Sequence, residues 1–179
     1  DFTKNFQMDQ RNALVFHLGA GVAIPYGNAR MLPFEKRYFS GGANSVRGWS
    51  VRELGPGSFD SPNNNFLNQT GDIKLDANVE YRTRLFWKFR GAAFIDAGNI
   101  WTLRNYEEQP DGQFKFNQFY KQISVAYGVG LRMDLDFFIV RLDWGWKALN
   151  PQHTGRHRIP LLHPRIGDTA LHFAVGYPF

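Results

Sequence analysis

Apolar and polar residues alternate with a period of two over several stretches of this chain, and that alternation predicts its elements. Between 73 and 85 the odd positions are Ile73, Leu75, Ala77, Val79, Tyr81, Thr83 and Leu85, and the even positions are Lys74, Asp76, Asn78, Glu80, Arg82 and Arg84. Side chains of a strand point alternately to its two faces, so one face here is apolar and the other polar or charged. Positions 123–135 repeat the pattern, with Ile123, Val125, Tyr127, Val129, Leu131, Met133 and Leu135 opposite Ser124, Ala126, Gly128, Gly130, Arg132 and Asp134. Positions 138–147 set Phe138, Val140, Leu142, Trp144 and Trp146 against Arg141, Asp143, Gly145 and Lys147. A last strand sets Leu171, Phe173, Val175, Tyr177 and Phe179 against Ala170, His172, Ala174 and Gly176. Two less regular strands are predicted over 13–26, with Leu14, Phe16, Leu18, Val22, Ile24 and Tyr26 on one side, and over 89–101, with Ile95 and Ala97 opposite Arg90, Phe94 and Asp96. Several of these stretches exceed the usual soluble strand and reach the roughly 9–11 residues that a tilted membrane strand needs.

The connections alternate in length as well. Long ones cover 27–72, 102–121 and 148–168, and short ones lie at 86–88 and 134–137. Outer-membrane barrels have this asymmetry, with short periplasmic turns and long extracellular loops, which puts the C-terminus on the periplasmic side. A β-sandwich also alternates, but its strands are shorter and its connections less lopsided. The predicted fold is therefore all-β, a transmembrane antiparallel β-barrel. Tyr26, Trp87, Trp101, Trp146, Tyr177 and Phe179 lie near strand ends and fit interfacial aromatic girdles. Six strands are too few to close a barrel, since membrane barrels start at about eight and an open edge in lipid leaves backbone groups unpaired. Residues 1–179 are thus expected to be one portion of a larger barrel domain.

Composition sharpens this picture. The chain is 43% hydrophobic and holds 17 Phe, yet its mean hydropathy is negative. One strand face in lipid and the other in water produce that combination. The absence of cysteine excludes disulfides, thiolate metal sites and cysteine nucleophiles. The formal charge of +5 is spread along the chain with Asp and Glu interleaved, which argues against nucleic acid as a partner. The longest apolar run, Phe137, Phe138, Ile139 and Val140, is far short of the roughly 18 residues of a membrane helix. No signal peptide is visible and the chain starts at Asp1; since a barrel protein must be exported, a trimmed chain is expected.

Candidate chemistry sits in the first long loop, which runs Gly41-Gly42-Ala43-Asn44-Ser45-Val46-Arg47-Gly48-Trp49 and then Glu53-Leu54-Gly55-Pro56-Gly57. Glycine at this density lets a loop fold back on itself. Alone it would pass for an ordinary surface loop. Its weight comes from Glu80 and Asp96, which lie on the polar faces of two strands joined by the short turn near Trp87. That turn brings the two carboxylates within two residues of facing each other, about 7–8 Å apart. Like charges in one enclosed space call for a cation, and the planar fork of Arg47 suits carboxylates.

With these residues in view, Val46-Arg47-Gly48-Trp49 resembles the VRG-[FY] motif in the sixth extracellular loop of the outer-membrane protein assembly-factor superfamily, the BamA/TamA-like bacterial surface antigen barrels. Phe94-Ile95-Asp96-Ala97-Gly98-Asn99 resembles that family's F-x-D-x-G strand motif, and Asn78-Val79-Glu80-Tyr81-Arg82 its acidic strand. The ending, with Phe173, Val175, Gly176, Tyr177 and Phe179, resembles its C-terminal β-signal. Trp49 stands where the family has Phe or Tyr. The wording around 44–57 and 94–101 is similar to the TamL branch. The resemblance covers essentially the whole chain and implies the C-terminal six strands of a sixteen-stranded barrel in the outer membrane of a Gram-negative bacterium. It further implies a loop at about 27–72 tucked into the lumen, Arg47 locked to Glu80 and Asp96, and a seam at the last strand that templates client strands. The partners it implies are outer-membrane lipids, client outer-membrane proteins, the remainder of the barrel, N-terminal POTRA repeats and accessory lipoproteins. Gly176, Ala170 and Ala174 make the last strand light on its lumen face, which suits weak seam packing; small residues also simply relieve crowding inside a barrel.

The same residues bear on other functions. Two inward carboxylates could serve a glycosidase, but Arg47 would hold both ionised and no G-x-S-x-G elbow occurs, so no enzyme is expected. Arg141 and Asp143 read as a solvated inner wall. His153 and His157, with His163 nearby, have an H-x-x-x-H spacing but no matched acid, and read as a polar extracellular loop. No metal or cofactor is expected. A passive porin and a two-partner-type secretion pore stay open as alternatives.

Overall fold

The computed structural model describes residues 1–29, 31–61, 67–162 and 165–179. Among the described residues seven antiparallel strands form one sheet in sequence order: β1 (Phe2–Gln7), β2 (Asn12–Val22), β3 (Ile73–Arg84), β4 (Phe89–Trp101), β5 (Ser124–Asp134), β6 (Ile139–Leu149) and β7 (Thr169–Val175). β3 to β6 fall where the alternation predicts them to within one or two residues at each end. Single 3-10 turns at Phe34–Lys36, Phe119–Gln122, Gly155–Arg158 and Ile166–Asp168 interrupt the long loops.

β1 is a seventh strand that the pattern does not predict. It has only six residues, and Lys4 stands between Phe2 and Phe6 on what would be its apolar face. It pairs from Phe2↔Leu18 to Gln7↔Ala13. The turn between them extends the alternation of short and long connections. β2 ends at Val22 rather than at Tyr26.

β3 and β4 pair in full register from Ile73↔Trp101 to Arg84↔Arg90. The outward side chains of β4 to β7, among them Ile95, Val129, Leu142, Trp144, Leu171, Phe173 and Val175, are exposed. The inward row Asn78, Glu80, Phe94, Asp96, Ala126, Arg132, Arg141 and Asp143 is buried instead. A water-soluble sheet would bury its apolar face, so this inversion is the mark of a sheet whose apolar face meets lipid. What covers the inner face is the first long loop: Val46, Trp49 and Leu54 are fully buried there, packed with Ala126.

Three aromatics assigned to the outer girdle belong elsewhere, and two of them lie beyond the end of their strand. Trp101 has no exposed surface; its ring packs edge-on against Phe114 and Phe119 of the following loop, and its Nε1 donates to Gln122 Oε1 at 2.9 Å. The final strand stops at Val175, where Gly176 takes φ +86 and donates the last ladder bond to the Ile139 carbonyl at 2.7 Å. A left-handed backbone at that point breaks the alternation, and only glycine adopts it at no steric cost. Tyr177 then accepts from Arg90 Nη1 at 3.1 Å and lies under the Arg82 guanidinium, 4.3 Å from its ring centroid. Phe179 stacks on His17 at 4.9 Å. Both rings therefore cross the inner wall, whereas Trp87 and Tyr26 are exposed as a girdle requires.

Val129 lies midway along β5 and faces outward. Val129→Arg in the full-length protein should cost about 2–4 kcal/mol in a bilayer, the depth-dependent penalty of a cation at mid-membrane. Urea unfolding from lipid vesicles measures it, and a cost near zero would place that face in water.

Candidate functional site

Every component of the site comes from an inward position on β3 to β6 or from the loop laid over them. Asp96 and Asn78 are directly opposed in the β3–β4 register, and Glu80 lies two residues further along β3. This is the diagonal spacing expected of the two acids. Between them lies Arg47, with no exposed surface. Its Nε donates to Asp96 Oδ2 and its Nη2 to Asp96 Oδ1, both at 2.8 Å, a side-on fork of two parallel bonds. Its Nη1 donates to Glu80 Oε2 at 2.5 Å, and its backbone N–H adds a bond to Asp96 Oδ2 at 3.0 Å. Burial alone works against the charge on this guanidinium, but Asp96 and then Glu80 outweigh it, so Arg47 is held more firmly protonated than a free arginine.

The surrounding residues explain the motif spacings. Phe94, two residues before Asp96 on the same face, lies under the guanidinium with its ring centroid 3.6 Å away, a cation–π stack. Gly98, two residues after, leaves room that a Cβ would take, since it would sit 2.7 Å from Asp76 Oδ1. Asn78 Nδ2 donates to Asp96 Oδ1 at 2.9 Å and to the Ser45 carbonyl at 3.0 Å, which ties wall and loop together. In the loop, Gly48 passes so close to β5 that a Cβ would meet that of Ala126 at 2.7 Å. Val46 and Trp49 fill the apolar space on either side.

Four of the seven charged groups in the cluster that holds Arg47, namely Arg82, Arg132, Arg141 and Asp143, are not assigned to the site by the sequence. Arg132 Nη2 donates to Glu80 Oε2 at 2.8 Å and lies 3.3 Å from Asp143 Oδ1. Arg82 Nε donates to Glu80 Oε1 at 2.6 Å. Asp143 approaches Arg47 Nη1 at 3.6 Å and accepts from Arg141 Nη1 at 3.1 Å. Arg141 and Asp143 are thus no solvated wall: both are buried and both belong to this cluster. Four guanidinium groups meet three carboxylates among the described residues, and the directly opposed Arg132 and Arg141 are held together by the acids around them. All of these residues were visible as inward positions; their mutual contacts needed the β5–β6 register.

Phe173 and Val175 face outward and are exposed, while Gly176, Tyr177 and Phe179 form the inward tail described above. The Phe179 ring centroid lies 5.7 Å from the Arg47 guanidinium, so the end of the chain reaches the loop site. The histidines do not gather: His153 Nδ1 is 4.0 Å from Asp60, His157 Nε2 is 2.8 Å from Arg165 Nη2, and His163 lies outside the described residues.

The model of the Omp85 superfamily domain matches residues 1–179. The chain belongs to the Omp85 superfamily. Omp85 proteins of this BamA/TamA-like kind reside in the outer membrane of Gram-negative bacteria, and so does this chain. It is 27% identical over 112 residues to the outer membrane protein assembly factor BamA of Neisseria meningitidis serogroup B, an alignment covering 58% of this chain and 13% of that protein. In fold it is similar to the crystal structure of BamA from Haemophilus ducreyi lacking POTRA domains 1–3, with a TM-score of 0.61 and 15% identity over 96% of this chain and 34% of that one. The chain therefore spans only a minor share of each. Membership holds at the level of the Omp85 superfamily and does not single out the TamL branch.

Asp96→Asn keeps the shape of the site and removes its charge. It should destabilise the full-length barrel by about 3–5 kcal/mol, the cost of leaving a buried partner uncompensated. A drop in the urea midpoint at constant slope would register it; an unchanged midpoint would mean that the fork contributes nothing to the fold.

Proposed function

We propose that this chain forms the C-terminal part of a closed barrel, sixteen-stranded as in the family pattern, in a protein that inserts or translocates other proteins at the outer membrane and is not an enzyme. The observation that carries this reading is the seating of Arg47. A loop that spends its charge on two acids of the inner wall is a built component of the lumen, not a passive surface excursion. A diffusion pore gains nothing from filling its own inner face, so the porin alternative is the weaker one. A two-partner-type secretion pore shares the loop motif and is the alternative within the same family.

Two further features support the reading. Among the described residues β1 and β7 have a strand partner on one side only, and because backbone in lipid must be paired, this reading places the remaining strands of the barrel beside them. β7 is a short edge strand, paired with β6 from Trp146↔Thr169 to Val140↔Val175, and its chain turns inward once Gly176 has bonded the Ile139 carbonyl. Addition of a strand at such an edge is a direct route by which a barrel guides the folding of another. On this reading the partners are client outer-membrane proteins, outer-membrane lipids, the remaining strands of the barrel, POTRA repeats and accessory lipoproteins, with no cofactor.

Replacement of Arg47 in the full-length protein tests the role. Arg47→Ala should lower the yield of folded client barrels by at least about tenfold, and Arg47→Lys should restore little of it because a point charge cannot reproduce the fork. The heat-shifted gel mobility of a client barrel in cells depleted of the native copy reads the effect. Full client yield with Arg47→Ala would sink the assignment, and a large steady conductance in liposomes would favour a pore.

A further inference from the structure

The inward face of β6 is a ladder in which Arg141, Asp143, Gly145 and Lys147 occupy every second position, and every rung meets the first long loop. At one end Arg141 Nη1 donates to the Ala43 carbonyl at 2.9 Å and Nη2 donates to Asn44 Oδ1. Asp143 comes next and approaches Arg47 Nη1 at 3.6 Å. At Gly145 the loop backbone lies directly on the strand, where a Cβ would stand 2.1 Å from the Arg47 carbonyl oxygen. At the far end Lys147 Nζ donates to Glu53 Oε1 at 2.7 Å and sits 5.4 Å from the Trp49 ring centroid. The neighbouring β7 adds His172, whose Nε2 lies 3.0 Å from the Arg47 carbonyl and must donate, since a carbonyl only accepts. From Arg141 to Lys147 these contacts extend over about 20 Å, the rise of six strand residues.

We propose that β6 is a latch strand, in which Arg141 and Lys147 are positioning residues that hold loop residues 43–53 against the two C-terminal strands independently of the Arg47 fork. The fork fastens the loop to β3 and β4. The latch fastens the same loop on the opposite flank, with one cation near each end and a glycine between them where the backbones touch. Arg141 shares Asp143 with Arg47, but its bonds to the Ala43 carbonyl and to Asn44, and that of Lys147 to Glu53, use neither acid of the fork, so loss of the fork leaves both latch contacts in place. A displacement of β6 and β7 must then carry the loop with it or break these bonds, which links the loop to the edge of the sheet. The latch rests on the assembly reading for its purpose, but not for its geometry.

The full-length protein in outer-membrane vesicles, with trypsin cleavage after Arg52 followed by mass spectrometry, tests this. Cleavage in an opened segment tracks the population of the open form, so Arg47→Ala alone should raise the rate less than about tenfold, and Arg47→Ala with Arg141→Ala and Lys147→Ala about a hundredfold or more. Lys147→Glu should raise it about tenfold, and Glu53→Lys added to it should return the rate to that of the unaltered protein, which a merely space-filling Lys147 would not do. Arg141→Lys, which retains a donor for the Ala43 carbonyl, should lie between Arg141→Ala and the unaltered protein. Heat-shifted gel mobility selects the variants whose barrel is folded. Full loop release by Arg47→Ala alone, or failure of the Lys147/Glu53 exchange to restore protection, overturns the latch. Client yield in the same cells is read separately. Loop release with normal yield overturns the assembly role and leaves the latch standing, whereas lost yield with the loop still protected in every latch variant does the reverse.

Discussion

A guanidinium with no exposed surface dictates the arrangement around it. Taking such an ion out of water costs several kcal/mol, so the fold can bury Arg47 only if carboxylates surround it at hydrogen-bonding distance. Asp96 supplies two parallel bonds and Glu80 a third, and the remaining charges settle around those. One cation would leave acceptor sites of Glu80 unused; its two oxygens meet Arg47, Arg82 and Arg132. Asp143 then takes up the charge of Arg132 and Arg141, which face each other directly across β5 and β6. Buried networks of this kind seldom add much net stability over a well-packed apolar core. What they do in this sheet is exclude alternatives, since few placements of the loop satisfy four cations and three anions at once.

The bilayer imposes the complementary constraint. With lipid against one face of every strand, the apolar side chains have to point outward, and the only place left for charge is the inner wall. That wall cannot remain an open row of acids and arginines without water or a covering segment. The first long loop is that segment, and it brings both the charge and the apolar filler in one stretch: Arg47 neutralises, while Val46, Trp49 and Leu54 pack against Ala126. The position of each group follows from strand periodicity. Phe94, Asp96 and Gly98 act together because residues two apart share a face, and the β6 rungs at 141, 143, 145 and 147 share one for the same reason.

That periodicity also decides what the sequence makes legible. Where alternation is strict, as in β3, β5 and β6, the strand and its inward face are legible in the sequence, and the short turn to β4 adds the facing of Glu80 toward Asp96. β1 escapes because Lys4 interrupts its apolar face and six residues are too few for a pattern to emerge. The roles of Arg132, Arg141 and Asp143 escape for another reason. Their direction is local information, but their partners are set by the β5–β6 register, which shifts at Val125/Ala126, and by where a loop some hundred positions earlier lands. Trp101 and the chain terminus mislead in the same manner. An aromatic at a strand end looks like a girdle residue until a loop packs over it, and a single left-handed glycine turns the last residues inward without disturbing the apolar–polar rhythm of the letters.

That inward turn has a structural consequence. Tyr177 and Phe179 do not extend the edge of the sheet; they lie on the wall already occupied by Arg82, Arg90 and His17, with Phe179 near Arg47. The loop and the tail therefore share one surface, and both are anchored through arginine: the loop by its own guanidinium, the tail by stacking under guanidinium groups of the wall. β7 supplies the connection between them, since His172 holds the Arg47 carbonyl while the residues four and more positions later fold back toward the same side chain. Straightening the tail to lengthen the edge strand would remove two aromatic rings from the charge network, and lifting the loop would expose acids to the tail. The two movements are coupled by the shared wall, because neither element can leave it without altering the electrostatic surroundings of the other.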